Sequence, residues 1–192
     1  MDPIVRAALV HYQFETAHPF LDGNGRLGRL LITLMLINDG VLHSCLFYPS
    51  FQFKKNRSEY YRQLTSVRER GTYEEWIEFF CASLLESAKD SVGSLKSLVD
   101  LHNRSTAAIT ENLGRTAANG QRLLSLLEEH PILDTAFIAA RLDIGRSTAS
   151  SLVKSFEELG ILRPLDESRQ RYRQYGYEEY LSILREDAEP IR

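Results

Sequence analysis

Apolar residues recur at helical spacing through most of the chain, and their phase marks out a series of helices. Asp2-Pro3 places a cap before a first-turn proline, so Ile4 to about Glu15 reads as a helix. Arg26 to Asn38 carries Leu27, Leu30, Leu31, Ile32, Leu34, Met35, Leu36 and Ile37. That run is apolar nearly all round, which predicts the buried centre of a bundle, and Asn38-Asp39-Gly40 stops it. Val41 to Phe53 is apolar and irregular, interrupted by Pro49, and a helix resumes near Lys54. Thr72 and Glu75 form a capping box ahead of Trp76, Phe79, Phe80, Leu84 and Leu85, an amphipathic helix expected to pack against the central one. Past Val92 the Ser-rich stretch around Gly93, with Leu95, Leu98, Val99 and Leu101, reads as a continuation of that helix or a connector.

From about Asn119 the elements shorten. Gln121 to Glu129 is a helix stopped by His130-Pro131, and Asp134 caps a second, Thr135 to Leu142. Asp143-Ile144-Gly145 makes a turn, and Ser147 opens a third helix that ends at Leu159-Gly160. Ile161 to Arg163 and Tyr172 to Tyr177 read as two strands of a small hairpin with Asp166 to Gln170 at its tip. The expected fold is therefore all-α. A helical bundle at 1–100 leads through a helical connector at 101–118 to a winged helix-turn-helix with a small β-hairpin wing at 119–192.

Composition narrows this picture only a little. With 43% hydrophobic and 26% charged residues the chain is ordinary globular material, and 192 residues suffice for one large or two small domains. A formal charge of −3 provides no global attraction to nucleic acid or to an anionic membrane. Cys45 and Cys81 are far apart and lie in no Cys-x-x-Cys pattern, so neither a disulfide framework nor a zinc site is implied, and a reducing cytoplasm fits. The N-terminus carries no export signal, and Leu30 to Ile37 is too short to span a bilayer. His11 and His18 are seven apart, but the helix ends between them; His11 reads as packing.

The chemistry concentrates in His18-Pro-Phe-Leu-Asp-Gly-Asn-Gly-Arg-Leu-Gly-Arg29, immediately before the apolar helix. Gly23 and Gly25 free the backbone to turn N–H groups inward as an anion nest, and Asn24 tolerates the left-handed conformations this needs. The nest stands at a helix N-terminus, where orphan N–H groups and the macrodipole also favour negative charge. Arg26 and Arg29, three apart, can both grip phosphate oxygens. Asp22 is the only carboxylate of the loop and suits a Mg²⁺ beside phosphates, while His18 can take a proton near neutral pH. Gly23, Gly25 and Gly28 also spell G-x-G-x-x-G, but a dinucleotide site would need a preceding strand and an acid about twenty residues on.

These residues match the signature His-x-Phe-x-Asp/Glu-Gly-Asn-Gly-Arg-x-x-Arg at every specified position, and the chain resembles the Fic family. The resemblance implies transfer of AMP from Mg·ATP to a Ser, Thr or Tyr hydroxyl of a target protein. It makes His18 the base, Asp22 the Mg²⁺ ligand, and Gly23, Asn24, Gly25, Arg26 and Arg29 the phosphate binders. Doc-like relatives that phosphorylate carry Ala and Lys where this chain has Gly23 and Gly25, which favours AMP transfer here. Asn56, Tyr60 and Tyr61 fall where family members line base and ribose, although aromatics at helical spacing also build cores.

Family members generally have further bundle helices and a β-hairpin flap ahead of the loop, yet some seventeen residues precede His18 here. The expectation is that the apolar faces of Ile4 to Phe14 and of the helix from Arg26 are covered by self-association or by a partner. The family's inhibitory Ser/Thr-x-x-x-Glu-Gly/Asn pattern does not occur in this sequence: Glu111-Asn112 has Ala107 four residues before it.

The last segment resembles the winged-helix domain appended to many Fic proteins. As a DNA reader its third helix would present Arg146, Ser147, Thr148, Ser151 and Lys154 to the major groove, with Arg163, Arg169, Arg171 and Arg173 near phosphates. Between Ala117 and Arg185, however, nine Lys and Arg stand against ten Asp and Glu, a net of −1, so a protein-contact role stands beside DNA binding. Two function classes stay open: AMP transfer resting on the loop, and a regulatory DNA- or protein-binding module with a weak or inactive Fic-like core.

Overall fold

The computed structural model of the protein describes residues 1–43, 47, 49–166 and 173–186. Cys45, Arg169, Arg171, Tyr172 and most of the expected wing tip lie outside these residues. The chain is helical, with one small sheet near its end, and divides into two compact units, Met1–Gly93 and Ser94–Glu186. No helix among the described residues is long and apolar enough to cross a membrane.

In the first unit α1 (Pro3–Ala17) starts under the Asp2 carboxylate, which accepts from the N–H groups of Ile4 at 2.8 Å and Val5 at 3.2 Å. It packs on α2 (Asn24–Asn38), and Arg6 ties it to Asp39 just past the end of α2. α3 (Ser50–Lys55), α4 (Arg57–Arg70) and the first half of α5 (Tyr73–Asn112) complete the bundle. Its core gathers Ala8, Tyr12, Ile32, Leu36, Phe53, Tyr60, Leu64, Trp76 and Phe80. The Trp76 indole N–H donates to the Ala8 carbonyl at 2.9 Å, fastening α5 to α1.

His11 sits at the centre of that core. The Gly28 carbonyl, 3.0 Å from Nδ1, can only accept, so Nδ1 carries the proton and Nε2 accepts from the Tyr60 hydroxyl at 3.0 Å. The ring stacks near Phe53 and Trp76. The crossing is tight at Gly28, where a Cβ would lie 2.5 Å from Glu15 Oε1, 3.1 Å from Phe14 and 3.2 Å from His11.

α2 departs from the expected all-round burial. Gly28, Ile32, Thr33 and Leu36 face the bundle, but Leu27, Leu30 (53% exposed) and Leu34 form an open stripe. An apolar pattern reports how many sides of a helix avoid water, and the described chain covers one of them.

The second unit takes the rest of α5, which runs unbroken through Gly93, and continues with a short 3₁₀ turn (Gly114–Thr116) and α6 (Ala117–Glu129). α7 (Thr135–Leu142) and α8 (Arg146–Glu158) form a helix-turn-helix, with the Asp134 side chain capping α7 through the Phe137 N–H at 2.7 Å. Asp143 takes the left-handed conformation at the corner. Leu123, Leu127, Ile138, Leu152, Phe156 and Tyr177 lie in its core.

Beside these helices lies the wing, an antiparallel sheet of β1 (Ile132–Asp134), β2 (Arg163–Pro164) and β3 (Gln174–Gly176) in the order β1-β3-β2. β1 is a strand beyond the two expected. Pro131 ends α6 but leaves its carbonyl free to accept from the Tyr177 N–H, and Ile132 pairs opposite Gly176. The wing also begins later than Ile161, because the N–H groups of Ile161 and Leu162 are spent on the Phe156 carbonyl in closing α8.

Burial pulls the His11 pKa down to about 4 from the ordinary 6.5, with the Arg29 charge adding to it and the Gly28 hydrogen bond opposing. The unfolded chain therefore binds a proton that the native unit refuses between pH 6.5 and 4, and stability falls as pH falls through that window. The expected loss is up to about 3 kcal/mol. Denaturant unfolding followed by Trp76 fluorescence checks it: His11→Gln should flatten the slope, and equal slopes in both proteins would show that His11 titrates normally.

Candidate active site

α1 ends at Ala17, and His18 closes it with φ 45°, its N–H donating to the Phe14 carbonyl at 3.0 Å. The imidazole is exposed at the mouth of the loop. Gly23 turns the chain at φ 83°, a conformation that favours glycine, and α2 begins one residue later. The helix thus starts two residues ahead of the expected Arg26, and Asn24 and Gly25 belong to its first turn.

Asn24 is 2% exposed and its side chain is fully used inside the loop. The amide oxygen accepts from the Phe20 N–H at 2.9 Å, and the amide nitrogen donates to the Phe20 carbonyl. This residue shapes the loop. No side chain caps α2, so the N–H groups of its first turn face the loop without a side-chain acceptor.

Asp22 is almost fully exposed; one carboxylate oxygen accepts from the Gly23 N–H at 2.6 Å, and the other lies 3.7 Å from Arg26 Nη2. Among the described residues no group of three or more His, Cys, Asp or Glu side chains is assembled. A lone carboxylate nevertheless fits a Mg²⁺ that keeps water and substrate phosphate oxygens as its remaining ligands.

Arg29 lies partly inside the unit. Its Nη1 would be 3.2 Å from a Cβ on Gly25, and its Nε is buried with no hydrogen-bond partner. Nearby Glu15 has an unpartnered buried oxygen. Burial pushes its carboxyl up, while Arg29 and then His18 pull it back. A cavity of about 280 Å³ opens beside Arg26 and Arg29, walled also by Leu30, Thr33, Phe47, Pro49, Ser50 and Lys54. Lys54 was not among the expected site residues: nothing in the sequence separates it from Lys55, and only the fold turns it to this cavity.

The structure thus gathers His18, Asp22, Gly23, Asn24, Gly25, Arg26 and Arg29 around one helix start. The other three expected binders scatter. Tyr60 is 4% exposed, its hydroxyl held by His11, and burial pushes its phenol well above the usual range. Asn56 caps the α3–α4 corner, donating to the Gln52 carbonyl at 3.1 Å. Tyr61 is exposed, with the Arg57 guanidinium 5.7 Å over its ring.

In the second unit a cavity of about 350 Å³ brings Arg146 and Ser150 of α8 together with Arg173, Thr135 and Tyr175. Ser147 and Lys154 are exposed on α8, Lys154 lying 3.7 Å from Glu158.

Comparison with known proteins accords with both halves of this geometry. Residues 1–36 match the Fic/DOC family and residues 116–166 match the IclR helix-turn-helix domain. The chain thus joins a segment similar to the Fic/DOC family to one similar to the IclR helix-turn-helix domain. It is 35% identical over 97 residues to a protein adenylyltransferase fic-1 of Caenorhabditis briggsae, which covers 50% of this chain and 18% of that protein. The corresponding Caenorhabditis elegans protein is 34% identical over 100 residues, 52% of this chain and 18% of its own length. A protein adenylyltransferase Fic of Drosophila ananassae is 38% identical over 79 residues, 41% of this chain and 14% of its own. The chain therefore spans less than a fifth of the length of these relatives.

The loop ahead of α2 depends on Asn24, since both polar ends of a buried amide are satisfied there. Asn24→Ala is expected to lower the stability of the first unit by about 1–3 kcal/mol by orphaning the Phe20 N–H and carbonyl. Asn24→Asp keeps an acceptor for the Phe20 N–H but sets a buried carboxylate oxygen against the Phe20 carbonyl, so it should lose at least as much. Chemical denaturation read at Trp76 measures both; an Ala variant that unfolds with the wild type would show the clamp to be idle.

Proposed function

We propose that this chain is a protein adenylyltransferase that moves AMP from Mg·ATP onto a Ser, Thr or Tyr hydroxyl of a target protein. The observation that carries the reading is the exposed His18 beside an uncapped helix start that presents Arg26 and Arg29. The names of the similar proteins agree with it.

In this reading the triphosphate lies along the loop. The first-turn N–H groups of α2, with Gly23 and Gly25, hold phosphate oxygens, and Arg26 and Arg29 offset the charge that gathers on the leaving pyrophosphate. Asp22 would be the protein ligand for Mg²⁺, which when bound would neutralise phosphate charge. The acceptor oxygen attacks the α-phosphorus as His18 takes its proton, and the bond from that phosphorus to the bridging oxygen breaks, releasing pyrophosphate. Asn24 serves by fixing the loop. Asn56 and Tyr61 remain open to a base or ribose, whereas Tyr60 supports His11.

His18→Ala should lower transfer by a factor on the order of 10²–10⁴ and leave ATP affinity nearly unchanged. A transfer assay with α-labelled ATP beside calorimetric ATP binding measures the two. Wild-type transfer without the imidazole would remove His18 from the mechanism.

The IclR helix-turn-helix match supports a second activity, DNA binding through α8. Arg146, Ser147 and Lys154 would meet the groove, with Arg171 and Arg173 on phosphates. Binding to duplex DNA should then weaken steeply with salt and lose slope with Arg173→Ala. A flat salt response would instead mark α8 as a protein-contact surface.

A further inference from the structure

We propose that Lys54 holds the terminal phosphate of the bound nucleotide, so that the cavity beside α2 distinguishes a triphosphate from a diphosphate. The inference rests on the nucleotide reading of the loop and extends it to an element that the loop motif does not include. Three cations from two helices line this cavity: Arg26 and Arg29 from the first turns of α2, and Lys54 from α3. The hydroxyls of Thr33 and Ser50 complete its polar wall, and no Asp or Glu is among its described lining residues.

Arg26 faces Asp22 and Arg29 has Glu15 nearby, but no acid among the described residues of the cavity wall faces Lys54, and an anion there would offset its repulsion with the two arginines. No salt bridge occupies Lys54 or Arg29 among the described residues. The geometry also sets the order along the ligand. The start of α2 and Asp22 stand at the loop, whereas Lys54 lines the cavity from a separate helix. Phosphates nearer the reacting centre then meet the loop, and the last one meets the lysine. An ammonium suits this end because it is a compact charge with three donors that can follow a freely turning terminal phosphate.

The test compares ATP, ADP and AMP binding by calorimetry in the presence of Mg²⁺ for wild type, Lys54→Met, Lys54→Arg, Lys55→Met and Arg29→Ala. Lys54→Met is expected to weaken ATP about tenfold and ADP less than about twofold, as the loss of one charge-assisted contact to the terminal phosphate would. Lys54→Arg should restore most of the ATP affinity, and Lys55→Met should behave as wild type. Lys54 is exposed, so its variants should melt with the wild type. Equal losses for ATP and ADP, or no loss, would overturn the assignment. If Lys54→Met is silent while Arg29→Ala weakens ATP, only the role of Lys54 falls; if both are silent, the nucleotide reading of the loop falls with it.

Discussion

α1 and α2 cross tightly at Gly28, where any side chain would press on Glu15, Phe14 and His11, and the loop takes its position from that crossing. The Gly28 carbonyl receives His11, His11 receives Tyr60, and Trp76 bonds to α1 three residues before His11, so one continuous set of contacts joins α1, α2, α4 and α5. A larger residue at 28 would gain helix propensity of about 1 kcal/mol and meet overpacking of about 1–3 kcal/mol. The clash wins, and the first thing it would displace is Glu15, which lies between the crossing and Arg29. Packing at Gly28 is in this sense the constraint that sets the imidazole on the end of one helix against the cations on the start of the next.

The loop divides its polar groups by exposure. Asn24, buried, spends both ends of its amide on Phe20, whereas Asp22, Arg26 and His18 reach solvent. A loop whose shape depended on the ligand would lose binding energy to ordering; a loop already clamped presents its N–H groups at once. The charged groups nearby are weakly paired, Arg26 and Asp22 being 3.7 Å apart and both exposed, so little would have to be broken for an anion to bind there.

Much of this was legible in the sequence because the deciding features are local. The Asp2-Pro3 start, the Asp134 cap, the helix-turn-helix corner at Asp143 and the loop with its two arginines each follow from residues within a few positions of one another. What escaped depends on which element lies opposite. Tyr60 and Tyr61 are adjacent in sequence and differ only in that one meets His11 and the other meets water. The open stripe of Leu27, Leu30 and Leu34 looks in sequence like the buried residues between them, and β1 exists only because Gln174 to Gly176 returns beside it. Lys54 belongs to the same class, since one lysine of a pair is turned to the cavity by a six-residue helix.

Among the described residues that are not glycine, only His18 and Asp143 have positive φ, and both stand at the end of a helix where the chain must turn. Such a conformation costs most side chains on the order of 1 kcal/mol, and glycine would relieve it. At Asp143 the corner itself accounts for the turn, since the Ile144 N–H reaches back to the Ala139 carbonyl and sends the chain into α8. At His18 the same turn also carries an exposed imidazole, supported by an N–H bond to Phe14, with the half-buried Glu15 nearby. A glycine at 18 would ease the backbone and remove the only imidazole on the loop, so the retained strain is physically consistent with a position selected for its side chain.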